Sequence, residues 1–267
     1  MLSQPKLAFH QDGHPVLSRD EIEEFAESLL AIHFPANLHD PCRLTAEALS
    51  SLAKLEDNVE TTRADLGSEG SRKRLGRIYL KRKLIVLDNV LFTERQISLP
   101  FVMAHEFAHW LLHRDCEFAA IRGREQLPDD GDETEEIDNA DPIWSSLQRI
   151  EWQASKLAAA LLMPRWPALL AVWRVQCEIG TPVRKGIIYT NPTPEAREET
   201  EQQLGLIAKM FGVSKTVVRI RLTDLRLFHL QPIEKPRPYR DEKSFFSVTD
   251  ALKLPSTDFF LEKVSHQ

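Results

Sequence analysis

Residues 105–113 read HEFAHWLLH, and this spacing constrains the chain more than any other stretch. On an α-helix, side chains four residues apart are displaced by only about 40° around the axis, so His105 and His109 point the same way. Two neutral imidazoles on one face can hold one Zn²⁺. Glu106 lies at the edge of that face, close enough to take a proton from a water held there. Such a triplet also arises where histidines align by accident on a surface or in a core, so the pair alone is only suggestive. A catalytic zinc needs a third protein ligand and keeps its fourth position open. The rest of the sequence has to supply that ligand.

His113 is one helical step further on, and the drift of about 40° per step carries it off the face of the pair. It is expected to stand behind the ligands or to meet the negative end of the helix dipole. Asp115 occupies the place where HExxHxxGxxH would put its last ligand, but Leu112 stands where that pattern has its turning glycine. Glu151 is different. Leu147, Ile150, Ala154, Leu157, Ala158, Leu161 and Leu162 form one apolar stripe at helical spacing, and Glu151 lies inside it. A carboxylate buried there must be protonated, paired or bound to a metal. By position alone a core arginine is as good a partner as an ion. Beside a histidine pair lacking a ligand, the metal is the better reading, giving a site of His105, His109 and Glu151 with Glu106 as base.

The chain has 267 residues, net charge -6 and three cysteines, Cys42, Cys116 and Cys177. With 42% hydrophobic and 28% charged residues it has the balance of a soluble protein able to bury a core. An odd number of widely spaced cysteines predicts a reducing, cytoplasmic setting, with neither a disulfide framework nor a thiolate zinc site. The N-terminal stretch lacks a basic head followed by an apolar run, so no secretory signal is expected. No apolar run is long enough to span a bilayer.

Along the chain, Ser18 and Glu21 form a capping box opening a helix over 18–34, and a second helix is expected at 44–55. RIYL (77–80) and KLIVLD (83–88) read as two strands of a small sheet. Helical periodicity covers 94–114, 144–162, 195–210 and 215–226. Between the two site helices, EQLPDDGDETEEIDNAD (125–141) holds nine carboxylates and no basic residue, a solvated insertion. It can also be imagined as a lid or a cation site.

MAHEFAHWLLH followed by EWQASKLAAALLMP resembles the ImmA/IrrE family of metallopeptidases, which pairs an HExxHxLLH helix with a later ExxAxxFAAxLLMP helix. The resemblance covers roughly 18–228. It places the family's zinc ligands at His105, His109 and Glu151 and its base at Glu106. Ala108 and Leu157 are mild departures, and the acidic insertion is long. The resemblance implies an α+β fold with a zincin-like core. A small, mostly antiparallel sheet packs on helices, and a helix-turn-helix-like portion follows. The expected divisions are a peptidase domain over 1–194 with the insertion at about 122–143, a helical portion over 195–228, and an extension over 229–267. The implied substrate is a helix-turn-helix repressor of phage, mobile-element, defence or stress genes, relieved by cleavage.

Other features compete for function. SRKRLGRIYLKRK (71–83) has seven basic residues and no acid, the pattern of a solvated strand face or of a surface attracting acidic substrate or DNA. The helices over 206–226 have helix-turn-helix rhythm, with Lys215, Arg219 and Arg221 placed to meet phosphates or simply to scaffold. Cys116 can serve as a thiolate switch or as a small helix-end residue. Tyr189 is a conceivable oxyanion donor, with no spacing argument behind it. The alternatives to a peptidase are a DNA-binding regulator with a structural or vestigial metal site, or half of a toxin–antitoxin module.

Overall fold

The computed structural model describes residues 8–9, 15–69, 72–115, 146–181 and 186–230. The acidic insertion, Cys116 and residues 231–267 lie outside the described residues. Short strands β1 (Ala8–Phe9) and β2 (Pro15–Val16) pair antiparallel and lead into α1 (Arg19–His33). The capping box is formed: the Ser18 hydroxyl accepts from the Glu21 amide, and the Glu21 carboxylate accepts from the Ser18 amide at 2.8 Å. Ile22, Ala26, Leu29 and Leu30 give α1 its buried face. Helix α2 (Ala46–Asp57) starts at a Thr45 cap and ends on Asn58 in the left-handed region, which turns the chain directly into β3 (Glu60–Ala64).

The hairpin of β4 (Ser68–Glu69) and β5 (Arg72–Lys73) precedes β6 (Gly76–Tyr79) and β7 (Leu84–Asp88). The sheet order is β3-β7-β6, with β7 parallel to β3 and antiparallel to β6. The sheet is therefore mixed, where mostly antiparallel pairing was expected. The missing strand was β3, whose ETTRA lacks the apolar alternation that marks a strand. β7 is the central strand, as its unbroken LIVL run requires of a strand covered on both faces.

Under the sheet lies α3 (Leu99–His113), flanked also by α2 and by α4 (Ser146–Leu162). Every residue from Val102 to His113 is buried. A helix apolar on nearly all sides has to sit at the centre of a core. Pro164 stops α4 and opens α5 (Arg165–Glu178). Then come β8 (Ile188–Thr190), α6 (Pro194–Phe211), α7 (Lys215–Asp224) and β9 (Phe228–Leu230), which returns to pair parallel with β8. Gly212, at φ 69°, makes the left-handed turn out of α6, and Ser214 caps α7.

Helix α7 does not offer its cations to solvent as a set. Arg221 is 1% exposed, donates to both carboxylate oxygens of Glu23 on α1, and donates to the Met163 carbonyl at 2.8 Å. Lys215 and Arg219 both hold Glu201 of α6. The expectation that Arg221 faces phosphates is corrected: burial and a bidentate partner leave it a tie between α1, α7 and the backbone just past the end of α4. Among the described residues no helix is long and apolar enough to cross a membrane.

Candidate active site

Helix α3 brings His105 and His109 to one face, and α4 lays Glu151 against them. His105 Nε2 and His109 Nε2 are 3.1 Å apart, and Glu151 Oε2 is 3.3 Å from the first and 3.4 Å from the second. These three form the one group of potential metal-binding side chains among the described residues. Tetrahedral zinc bound at about 2.0–2.1 Å by nitrogen and oxygen holds its ligand atoms about 3.3 Å apart. The triangle already has that size. Three lone-pair-bearing atoms converging at such distances repel unless a proton or cation stands among them. Glu151 Oε1, also buried, has no hydrogen-bond partner among the described residues. The donor set and its spacing fit a zinc ion.

Burial alone would push the Glu151 carboxyl up. In an ion-free cluster the His109 and His105 imidazoles, carrying the protons that a bound cation would displace from their Nε2 atoms, outweigh it and hold the group well below the usual carboxylate range. Glu151 was expected to be buried, yet its side chain is 25% exposed while His109 is sealed. The alternative partner, a core arginine, is not used: Arg165 pairs with Glu27 at 2.6 Å, and Arg221 with Glu23. Asp115 is 68% exposed and lies beside Arg114, outside the cluster.

Glu106 is 2% exposed and sits beneath β6. A Cβ on Gly76 would come within 2.6 Å of Glu106 Oε1 and 2.7 Å of Val102 Cγ1. The missing side chain at 76 is the space in which the Glu106 carboxylate lies. Sequence reasoning did not single out Gly76, because a strand glycine signals close approach without naming what approaches.

Behind the cluster, His113 Nδ1 lies 3.0 Å from His109 Nδ1. His113 Nε2 lies 2.9 Å from Gln153 Oε1, and Ser155 Oγ lies 3.4 Å from His105 Nδ1. His113 thus stands behind the histidine pair as its drift around the helix predicted. Gln153 and Ser155 were not foreseen, although Ser155 follows Glu151 by one helical step on the same face. The end of α3 is anchored by Asp57, which accepts from Trp110 Nε1 at 3.0 Å and from Arg114 at 3.2 Å. Tyr189 stacks on His229, with ring centroids 5.6 Å apart, in the β8–β9 pair.

Residues 56–177 match the family model described as the IrrE N-terminal-like domain, a peptidase family. No curated protein and no solved structure matches the chain. The matched span contains β6, α3 and α4, and with them His105, Glu106, His109 and Glu151. The chain therefore carries, over residues 56–177, a domain of the IrrE N-terminal-like peptidase family, and its function is of the metallopeptidase type.

Proposed function

We propose that this protein is a zinc-dependent endopeptidase that cleaves a helix-turn-helix repressor and so relieves repression of phage, mobile-element, defence or stress genes in the cytoplasm. The observation that carries the catalytic part is the convergence of His105, His109 and Glu151 to within 3.4 Å beside the buried Glu106. Among the described residues three candidate ligands stand beside a carboxylate, the composition of a catalytic set, whereas structural zinc sites close with four. Bound there, a zinc ion would supply a water of lowered pKa and a Lewis acid for the scissile carbonyl. His105, His109 and Glu151 would hold it. Glu106 accepts the proton of the attacking water and delivers it to the leaving amine.

Substrate entry follows from the sheet. β7 is paired on both sides and offers no edge to an extended peptide. Among the described residues, the outer side of β6 carries no strand. β6 also crosses directly over Glu106 through Gly76. A peptide pairing along β6 as a further strand is carried past the base. The repressor class itself rests on the family resemblance.

The test is to incubate the purified full chain with the helix-turn-helix repressor encoded beside its gene and to analyse the products by mass spectrometry. Cleavage at one or a few bonds, stopped by a chelator and restored by zinc, is the expected outcome. An intact repressor in the presence of zinc-loaded protein would remove this substrate, and DNA binding by the chain itself would favour the regulator.

A further inference from the structure

We propose that Gln153 and His113 are positioning residues that force His109 to carry its ring proton on Nδ1, leaving its Nε2 lone pair for the metal, with the direction set by the backbone carbonyl of Pro15. The inference rests on the reading of His109 as a zinc ligand. The path is Pro15 O, Gln153, His113, His109, and every group on it is buried. His109 and His113 are 0% exposed and Gln153 is 3% exposed.

A carbonyl oxygen only accepts, so the Gln153 atom 2.7 Å from Pro15 O is the amide nitrogen, donating. The Gln153 oxygen is thereby turned to His113 Nε2 at 2.9 Å, and it too can only accept. His113 must therefore carry its proton on Nε2. A neutral imidazole has one N–H and one lone pair, so His113 Nδ1 accepts. His109 Nδ1, 3.0 Å away, has to donate. The lone pair of His109 is then on Nε2, the atom facing His105 Nε2 and Glu151 Oε2. Turning the Gln153 amide around would set oxygen against the Pro15 oxygen and N–H groups against His113. The reversed tautomer of His109 would point its proton into the cluster. Partners that fix the tautomer and orientation of a metal-binding histidine typically change metal affinity about 10–100-fold when removed. Pro15 lies outside the span matched by the family model, so the first link comes from the chain's N-terminal strand pair.

The experiment measures zinc affinity of the purified full chain by competition with a chromophoric chelator, in the wild type, Gln153→Glu and Gln153→Met. Both variants lose the donor to Pro15 and should lose thermal stability. Gln153→Glu keeps an acceptor for His113 Nε2 and should hold zinc within a few-fold of the wild type. Gln153→Met removes the acceptor and should weaken zinc by about 10–100-fold. Ring ¹⁵N NMR of the histidines reads the tautomers directly: His109 with its proton on Nδ1 and His113 on Nε2 in the wild type and Gln153→Glu, mixed forms in Gln153→Met. Wild-type affinity in Gln153→Met, or a wild-type His109 carrying its proton on Nε2, would overturn the inference. A wild type that takes up no zinc would instead sink the ligand reading, and the ring signals of the metal-free protein would still decide the relay.

Discussion

Glu106→Gln should abolish peptide hydrolysis while zinc stays bound. The substitution keeps the shape of the side chain and removes the proton acceptor, and loss of a general base costs about 10²–10⁴-fold in rate. The same step can be disabled from the opposite wall. Gly76 has an ordinary strand backbone, so alanine there is not strained by its dihedral angles. The added Cβ would stand 2.6 Å from Glu106 Oε1. Something must move, and the end of a flexible carboxylate moves more cheaply than the α3 backbone. Gly76→Ala should therefore displace the base and lower kcat on the order of 10²-fold, with zinc content unchanged. Steady-state kinetics on the cleaved repressor, read with metal analysis of each variant, checks both substitutions. If Gly76→Ala retained full kcat, the glycine slot would not be what holds the base.

The largest expected loss of stability comes from Arg221→Met. Glu23 is 5% exposed, and Arg221 holds both of its oxygens. Removing one member of a buried, hydrogen-bonded pair strands the other charge and costs about 3–5 kcal/mol. For a chain of this size that lowers Tm by roughly 10 °C. Arg165, 3.9 Å from Glu23, is committed to Glu27 and compensates little. Replacing both partners, as in Glu23→Leu with Arg221→Met, should recover most of the loss, because an apolar pair carries no desolvation penalty. The pair also makes stability depend on pH. Burial works to raise the Glu23 carboxyl, but the charge and hydrogen bonds of Arg221, with the charges of Arg165 and Arg19, hold it below its ordinary value. A carboxyl lowered in the folded state contributes fully above its ordinary pKa, and the contribution disappears as pH falls through the lowered value. Thermal melts of the three proteins across acidic pH decide this. Equal melting temperatures for wild type and Arg221→Met would refute the buried-pair account.

What was legible in the sequence was local or periodic. The Ser18–Glu21 capping box, the helical spacing of His105 and His109, and Glu151 inside an apolar stripe all depend on residues a few positions apart. So does the run of LIVL that became the central strand. What escaped depends on partners far along the chain. β3 is a polar edge strand made by pairing with β7. Arg221 finds Glu23 across 198 positions, and Gln153 finds Pro15 across 138. An amphipathic reading places Arg221 with Lys215 and Arg219 as outward cations, because nothing nearby announces its acidic partner. Gly76 shows the same limit from the other side: its role is a volume, and the side chain that fills the volume is on another element.

The claim on which the rest depends is that His105, His109 and Glu151 hold one zinc ion. Metal content by inductively coupled plasma mass spectrometry, on the wild type and Glu151→Ala purified from zinc-replete cells, tests it most directly. The expected result is about one zinc per wild-type chain and a marked loss in Glu151→Ala. Equal zinc in the two proteins would remove Glu151 from the site, and a zinc-free wild type would contradict the account as a whole.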